Sequence, residues 1–582
     1  MLCIKVPIKE AEKIKKELLK KGLFDKEHAI VKAKGFVYFP VSKKFKAKYS
    51  FTNKALKKKA LHTDLKSSLK NKLNKKELQF VKRSLDVIGN IAILEIPKEL
   101  ENRKKEKLIA EEVLRLNKNI TTVLKKGKHE GVFRVQKLEH LAGKNTKEAV
   151  YKEHGIMMKL DVEQVYFSPR LSTERKRIMQ LVKKPEDILV MFSGCAPYVC
   201  VLAKNTPARH VWGIEINPVA HRYGWENLKL NKISNAFLIN EDVKTAVPHL
   251  YQRILGLKSA ITSKQLKTRL KENPAIMELH TLDYDFKENF ENLKKTIQLL
   301  QEAGKYVIVH QPWEAGISMD LVNQDANSEL CQKMISLIKE FDIDLVIHPV
   351  NNNNGNEENL VIEDKLIENI KTFSKHYDKI YFENNHVVIF SKKESIFKII
   401  KATGIKNMCI DTCHMLYLYS PEETVSLIKE IQKQCNTYFH LNDYKDNVHS
   451  RRLSEDSHLN IESIIPLITR GVIEINSQDE VKNEEMISSW HYLGNFHKTF
   501  DRILMPLPKT ASEYLDVALA ASHKGTIIHF YDFQKEGEFE KSVEKIRKAC
   551  DAAGKKFKVL NMVKCGQNAP REFRICVDFE IL

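Results

Sequence analysis

The 582-residue chain has no apolar run approaching the roughly 18 residues that a membrane-crossing helix requires, which argues against an integral membrane protein. It has no Cys-x-x-Cys pair. Its ten cysteines are scattered without even spacing, a pattern that fits reduced thiols and speaks against a disulfide framework. The first residues, Met1-Leu2-Cys3-Ile4-Lys5-Val6-Pro7, run straight into a Lys/Glu-rich amphipathic stretch and lack the apolar core and small-residue cleavage site of a secretory signal. Together these absences predict a cytoplasmic protein with no membrane partner. Acid is also scarce in one place. Residues 1–80 carry 23 Lys/Arg against 7 Asp/Glu, whereas residues 251–496 carry 28 against 36, so the net charge of +21 arises wholly outside that central segment. Such a distribution predicts a polyanionic partner for the remainder of the chain.

What is present reads as several domains, since 582 residues exceed one ordinary core. Residues 1–50 form a small α/β module with a strand at Cys3 to Val6, a helix over Glu10 to Lys21 and a strand at Gly35 to Phe39. A Lys-rich stretch, residues 51–75, follows as an exposed linker. A second module, residues 76–168, contains the strand Ile91 to Ile96, a helix over Lys105 to Leu116 and a strand near Gly131 to Val135. Beyond it, residues 169–250 and 497–582 alternate helix and strand as in a doubly wound parallel sheet, with strands at Ile188 to Phe192, Val211 to Ile216, Ala236 to Ile239, Arg502 to Met505 and Thr526 to Tyr531. The segment 251–496 interrupts it.

Three turns in this split domain make a cofactor site. Phe192-Ser193-Gly194-Cys195-Ala196-Pro197 is a small-residue turn that admits close backbone approach. Glu215-Ile216-Asn217-Pro218 places a carboxylate for ribose hydroxyls, and Asn240-Glu241-Asp242 an acid for an adenine amine. In addition, Gly131-Val132-Phe133-Arg134-Val135, Tyr166-Phe167-Ser168-Pro169-Arg170-Leu171, Thr173-Glu174-Arg175, Met505-Pro506-Leu507-Pro508-Lys509 and Ala569-Pro570-Arg571-Glu572 occur in order. With these motifs the chain resembles the archaeal and eukaryotic tRNA (guanine-37-N1) methyltransferases over everything except the central insert.

The resemblance implies an α/β class I (Rossmann-like) methyltransferase, monomeric, binding tRNA through its N-terminal modules and using S-adenosylmethionine. Phe192, Gly194, Pro197, Glu215, Asn217 and Asp242 would hold the cofactor. Glu174 would take the N1 proton as general base, and Arg134 would stabilise charge on O6. Tyr166, Arg170, Arg175, Pro506 and Pro508 would bind the substrate. Three positions depart from the family: Val190 replaces an Asp, Ala196 a glycine, and Pro506 an Asn that positions the target base.

The insert has a strand-helix rhythm with eight candidate strands: Leu257 to Ile261, Ile276 to His280, Tyr306 to His310, Leu345 to His348, Lys379 to Glu383, Met408 to Asp411, Thr437 to His440 and Val472 to Ile475. This predicts a (β/α)8 barrel. Nine metal-type side chains fall at successive strand ends: His310, His348, Glu383, Asp411, His414, His440, Asp456, His458 and Glu474. The surrounding motifs, such as Ile410-Asp411-Thr412-Cys413-His414 and Asp456-Ser457-His458, resemble endonuclease IV and the xylose-isomerase-like barrels. That resemblance implies two or three divalent ions, zinc by ligand type, and a phosphoesterase-like module. An independent AP-endonuclease-like hydrolase, a sugar-phosphate isomerase and a tRNA-binding protein with weakened methyltransferase activity stand as alternatives. Because the insert joins a helix to a strand at the edge opposite the cofactor, it is expected to be removable without loss of methyl transfer.

Overall fold

The computed structural model describes residues 1–25, 27–33, 35–56, 64–81, 85–130, 133, 135–261, 263–312, 321, 328–349, 360–374, 378–385, 390–475 and 480–582. Two compact units emerge, the first comprising residues 1–151 with 161–164 and the second the rest.

The first unit holds two sheets. In one, Val31–Ala33, Phe36–Pro40, Leu2–Pro7 and Phe51–Asn53 lie in that order and bury Ile4, Val6, Val37 and Phe39 with Leu18 of the helix Ala11–Lys20. The other orders Asp86–Ile88, Ile91–Leu94, Thr122–Glu130 and Val135–Gly143 beneath the helix Arg103–Leu116. The expected linker is therefore partly structured. Phe51–Asn53 pairs with Leu2–Ile4, and Asp64 caps a helix, Leu65–Leu69, whose Leu69 enters the second core with Leu73. The i, i+4 spacing of Leu65, Leu69 and Leu73 supplies an apolar face amid the lysines. Residues 57–63 lie outside the described residues.

The second unit contains an open seven-stranded sheet and a closed barrel. The sheet runs Ala236–Ile239, His210–Ile214, Asp187–Met191, Phe500–Met505, Ser522–Lys535, Glu572–Ile581, Phe557–Ala569, the first five strands parallel and the last two antiparallel. Asp187–Met191 is buried along its whole length, as a central parallel strand covered on both faces should be. It pairs with Phe500–Met505 across the insert, so the chain leaves the sheet for more than two hundred residues and returns beside its starting strand. The order reverses there, which places the ligand crevice beyond the carboxyl end of Asp187–Met191.

In the barrel, Leu255–Ala260, Ile276–His280, Tyr306–His310, Asp344–Ile347, Ile380–Glu383, Asn407–Asp411, Asn436–Leu441 and Gly471–Ile473 close when the last strand pairs with the first. At the amino-terminal end of these strands, Arg470 stacks 4.5 Å over the Tyr306 ring and donates to Asp344 and Tyr381, plugging the interior. Barrel and sheet are not loosely tethered. The helix Leu250–Ile254 runs directly into the strand Leu255–Ala260, and one continuous apolar cluster contains both Leu189 and Trp212 of the sheet and Leu257 and Met277 of the barrel. Trp225 packs 6.3 Å from Tyr306, Lys229 pairs with Asp342, and Arg253 grips Glu241 through both oxygens at 2.6 and 2.7 Å. No described helix is long and apolar enough to cross a membrane.

Candidate functional site

The turn after Asp187–Met191 uses three left-handed residues, Phe192 (φ 60°), Gly194 (φ 57°) and Ala196 (φ 65°). Only glycine takes this conformation freely, so Phe192 and Ala196 each hold strain on the order of 1–3 kcal/mol. Such strain persists where the surroundings dictate it. Gly194 and Asn217 donate their N–H groups to separate oxygens of Glu215 at 2.7 and 2.8 Å, stitching the first two cofactor turns together. Burial nevertheless raises the Glu215 carboxyl above its usual range, against the pull of the N–H groups. Each Glu215 oxygen keeps a second acceptor direction for a hydroxyl.

Asn217 caps the helix Pro218–Leu230 through the Val219 and Ala220 N–H groups. Pro197 opens the helix Pro197–Asn205, and Asp242 caps Val243–Ala246 by accepting from Lys244 N–H at 2.8 Å. Ser193 Oγ is buried in the turn without a hydrogen-bond partner among the described residues. The close backbone approach at Gly194 and the Glu215 carboxylate, with acceptor directions to spare, fit an adenosyl cofactor. Tyr514, which nothing in the sequence motifs marked, packs edge-on against Phe192 at 4.8 Å beneath the Lys244 ammonium.

The substrate residues divide. Tyr166 and Arg170 are exposed, and the Tyr166 carbonyl oxygen lies 3.7 Å from where a Cβ on Gly194 would stand, which sets this segment beside the cofactor turn. Pro506 is half-buried and Pro508 buried after the strand Phe500–Met505. Arg175 differs from its expected role on substrate phosphates. Its guanidinium is 1% exposed, bonded to both oxygens of Glu153, and faces the Ser168 carbonyl; its donors are committed to shaping the loop. Arg134 lies outside the described residues.

Glu174 is buried on the helix Ser172–Leu181. Arg177, one turn on, donates to Oε2 at 2.8 Å and Oε1 at 2.7 Å, and Tyr531 donates to Oε1 at 2.7 Å. The Tyr531 hydroxyl in turn meets that of Tyr198 at 3.2 Å, two residues past the cofactor turn. Arg177 also bonds both oxygens of Asp578. Beyond Asp578 come His529 Nδ1 at 2.6 Å, then Arg502 against His529 Nε2 at 2.7 Å, then Glu186. Burial lowers the His529 pKa despite Asp578, which suits a neutral ring that donates through Nδ1 and accepts through Nε2. Burial alone would raise the Asp578 carboxyl, but His529 and Arg177 hold it far below its ordinary range. This buried network escaped the sequence because its members are scattered from residue 174 to 578.

In the barrel, seven of the nine expected ligands converge at the carboxyl ends of the strands. His310 Nε2, His348 Nε2 and Glu383 Oε2 form a triangle with sides of 3.1, 3.4 and 3.1 Å. Donors about 2.0–2.1 Å from one tetrahedral ion would stand roughly 3.3–3.4 Å apart, so the triangle has the size of a cation's ligand set. A second group gathers Glu383, Asp411, His440 and Glu474. There His440 Nδ1 and Glu474 Oε2 lie 2.5 Å apart as an ion pair, with Glu383 Oε2 3.2 Å from the same nitrogen. An imidazole nitrogen and carboxylate oxygens gathered this closely form a donor set of the kind a divalent ion takes up, and the residues present fit one. His414 Nδ1 lies 3.8 Å from both Glu383 and Asp411.

Asp456 and His458 do not join them. Both are exposed, Asp456 takes the Ser454 hydroxyl, and His458 Nδ1 donates to the Tyr444 carbonyl at 3.0 Å. The physical cause is Asp443, whose carboxylate accepts the His458 and Leu459 N–H groups at 2.9 and 2.8 Å and holds that loop in its own turn. Two charged residues that the motifs did not mark complete the centre. Lys258 bonds Glu474 and stands 3.3 Å from Glu278, and Glu278 accepts from His440 Nε2 at 2.9 Å. Desolvation works against its charge, but His440 and Lys258 prevail and lower the Glu278 pKa to about 2. His440 is driven the other way, well above its usual value; burial opposes its charge, but the Glu278, Glu383 and Glu474 carboxylates around it outweigh that.

A sheet of this order, carrying a strained small-residue turn at its switch point and an acid after the next strand, is that of a Rossmann-like methyltransferase that uses S-adenosylmethionine, here with a (β/α)8 barrel let into it. Residues 149–305 and 473–560 match the TRM5/TYW2 methyltransferase domain, 65–146 the TYW2 N-terminal domain, 3–49 the tRNA methyltransferase 5 N-terminal domain and 275–471 the xylose isomerase-like TIM barrel. The chain is 38% identical over 243 residues to tRNA (guanine(37)-N(1))-methyltransferase Trm5b of Pyrococcus abyssi, a match covering 41% of this chain and 72% of the relative. It is 31% identical over 255 residues to Trm5b of Methanocaldococcus jannaschii, covering 42% and 75%. It is 38% identical over 214 residues to tRNA (guanine(37)-N(1))/4-demethylwyosine(37)-methyltransferase Taw22 of Nanoarchaeum equitans, covering 36% and 69%. The chain belongs to the TRM5/TYW2 methyltransferase family.

Proposed function

We propose that the chain methylates N1 of guanine 37 in tRNA, with Glu174 as the general base. The observation that carries this reading is the fixed link from Glu174 through Tyr531 to Tyr198, a residue of the helix that follows the cofactor turn. S-adenosylmethionine supplies an electrophilic methyl group when bound. Guanine N1 attacks only after losing a proton, and that proton must go to a positioned acceptor. Glu174 Oε1 already receives two donors and Oε2 one, so Oε2 is the oxygen with a lone pair to spare. Arg177 holds the carboxylate in one orientation. Tyr166 and Arg170 lie on the substrate side, and Arg134 is assigned to O6 by the family resemblance. The test is incubation with labelled S-adenosylmethionine and unmodified tRNA transcripts, followed by mapping of the methylated nucleotide by mass spectrometry. Label on 4-demethylwyosine-containing tRNA but never on guanosine would replace guanine as the target.

The remaining divisions belong to the same reading: residues 1–50 and 76–168 as tRNA-binding modules, 169–250 with 497–582 as the catalytic domain, and 251–496 as the inserted barrel, in a cytoplasmic monomer. For the barrel we propose divalent cations, one held by His310, His348 and Glu383 and another by Glu383, Asp411, His440 and Glu474, as a metal-dependent hydrolytic module. The close gathering of His440 and the Glu383, Asp411 and Glu474 carboxylates favours it. Such an ion supplies Lewis acidity when bound. Elemental analysis of protein purified without chelator tests this, and absence of metal together with unchanged melting on zinc addition would reject it.

A further inference from the structure

Both ring nitrogens of His440 face carboxylates, so the ring alone does not decide which nitrogen meets an ion. Nε2 lies 2.9 Å from Glu278 Oε2, and Nδ1 lies 2.5 Å from Glu474 Oε2 and 3.2 Å from Glu383 Oε2. By proximity Glu278 could itself ligate, since it forms a compact group with His310 and His440. Its surroundings argue otherwise. Oε2 already accepts the Tyr438 hydroxyl at 2.8 Å as well as His440, and Oε1 faces the Lys258 ammonium at 3.3 Å. With both lone pairs of Oε2 taken by Tyr438 and His440, Glu278 has little left on that oxygen to offer an ion.

We propose that Glu278 is a positioning residue: by accepting the Nε2–H of His440 it fixes the tautomer that turns the Nδ1 lone pair toward Glu383, Asp411 and Glu474, and so selects that group as the cation site. A carboxylate behind a ligating imidazole fixes its orientation and raises its basicity. Tyr438 and Lys258 hold Glu278 in place. Lys258 does the same for Glu474, occupying Oε1 and leaving Oε2 toward His440 Nδ1. The first barrel strand thus acts through the carboxylates it braces. This inference rests on the barrel taking a divalent cation.

The test uses the full chain stripped of metal and titrated with zinc against a chelator of known affinity, with metal-free melting recorded for every variant. Glu278→Leu is expected to weaken zinc binding roughly 10- to 100-fold. Because that variant leaves Lys258 poorly paired and could fail to fold, a second pair reads the tautomer directly. The side-chain oxygen of His440→Asn reaches the place of Nδ1, and that of His440→Gln the place of Nε2. The proposal expects the asparagine variant to bind zinc more tightly than the glutamine variant. Equal or reversed affinities in that pair, or a folded Glu278→Leu with wild-type affinity, would overturn the role of Glu278 while leaving the cation site standing. A wild-type chain that takes up no cation would instead remove the cation site, and this inference with it.

Discussion

Arg177 grips Glu174 through both carboxylate oxygens from one helical turn away, with Nε 2.8 Å from Oε2 and a terminal nitrogen 2.7 Å from Oε1. Glu174 is 4% exposed and the Arg177 side chain 20%. The proposed base is therefore pre-aimed by a residue that need not touch the substrate.

Glu174→Gln should abolish most methyl transfer while sparing cofactor binding, since an amide oxygen cannot take up the N1 proton usefully. A lost general base typically costs 10²- to 10⁴-fold in rate. Single-turnover assays beside calorimetric titration of S-adenosylmethionine separate the two effects, and near-wild-type turnover would take the role from Glu174.

Arg177→Met should destabilise the fold by roughly 3–5 kcal/mol, because it strands Glu174 and Asp578 as buried carboxylates without their shared cation. Denaturant unfolding checks this. A loss under about 1 kcal/mol would mean that His529 and Tyr531 hold these acids without Arg177.

Excision of the barrel by joining His249 to His497, expected from topology to be tolerated, should instead leave an unstable methyltransferase. The cut removes Leu250, Tyr251 and Ile254, which are buried in the cluster shared with Leu189 and Trp212. Apolar sheet surface would then face water, at about 25 cal/mol per Å². A spliced protein that melts at the wild-type temperature would show that the shared core is dispensable.

Acid should weaken the fold through His221. Burial pushes its pKa down from 6.5 to about 4, and Nε2 accepts the Trp225 indole N–H at 3.0 Å. The folded state binds fewer protons than the unfolded chain between these values, so this contribution is complete above pH 6.5 and is lost as pH falls toward 4. At 1.36 kcal/mol per unit it amounts to about 3 kcal/mol at most. Unfolding free energies of wild type and His221→Gln from pH 4 to 7.5 should differ in slope across that window, and parallel curves would exclude His221 as the source.

The sequence by itself determined the elements and their class. Strand positions in both the sheet and the barrel lie within one or two residues of those expected for Ala236–Ile239, Ile276–His280 and Tyr306–His310, because fully buried parallel strands read as short apolar runs between turn residues. It also marked the small-residue turn after Asp187–Met191, Glu215 and seven barrel side chains that converge, since these sit at strand ends where local pattern and chemistry coincide. Only the tertiary structure decided the rest. Lys258 and Glu278 look like ordinary charged residues in their strands until barrel closure turns them inward against Glu474 and His440. Asp456 and His458 carry the right side chains, but Asp443 holds their loop away. Arg175 and Arg177 are both arginines on one helix, yet Arg175 is buried against Glu153 while Arg177 bridges Glu174 to Asp578 on a strand some four hundred residues later. Which partner a charged side chain meets depends on contacts made across the whole chain, and no local pattern encodes them.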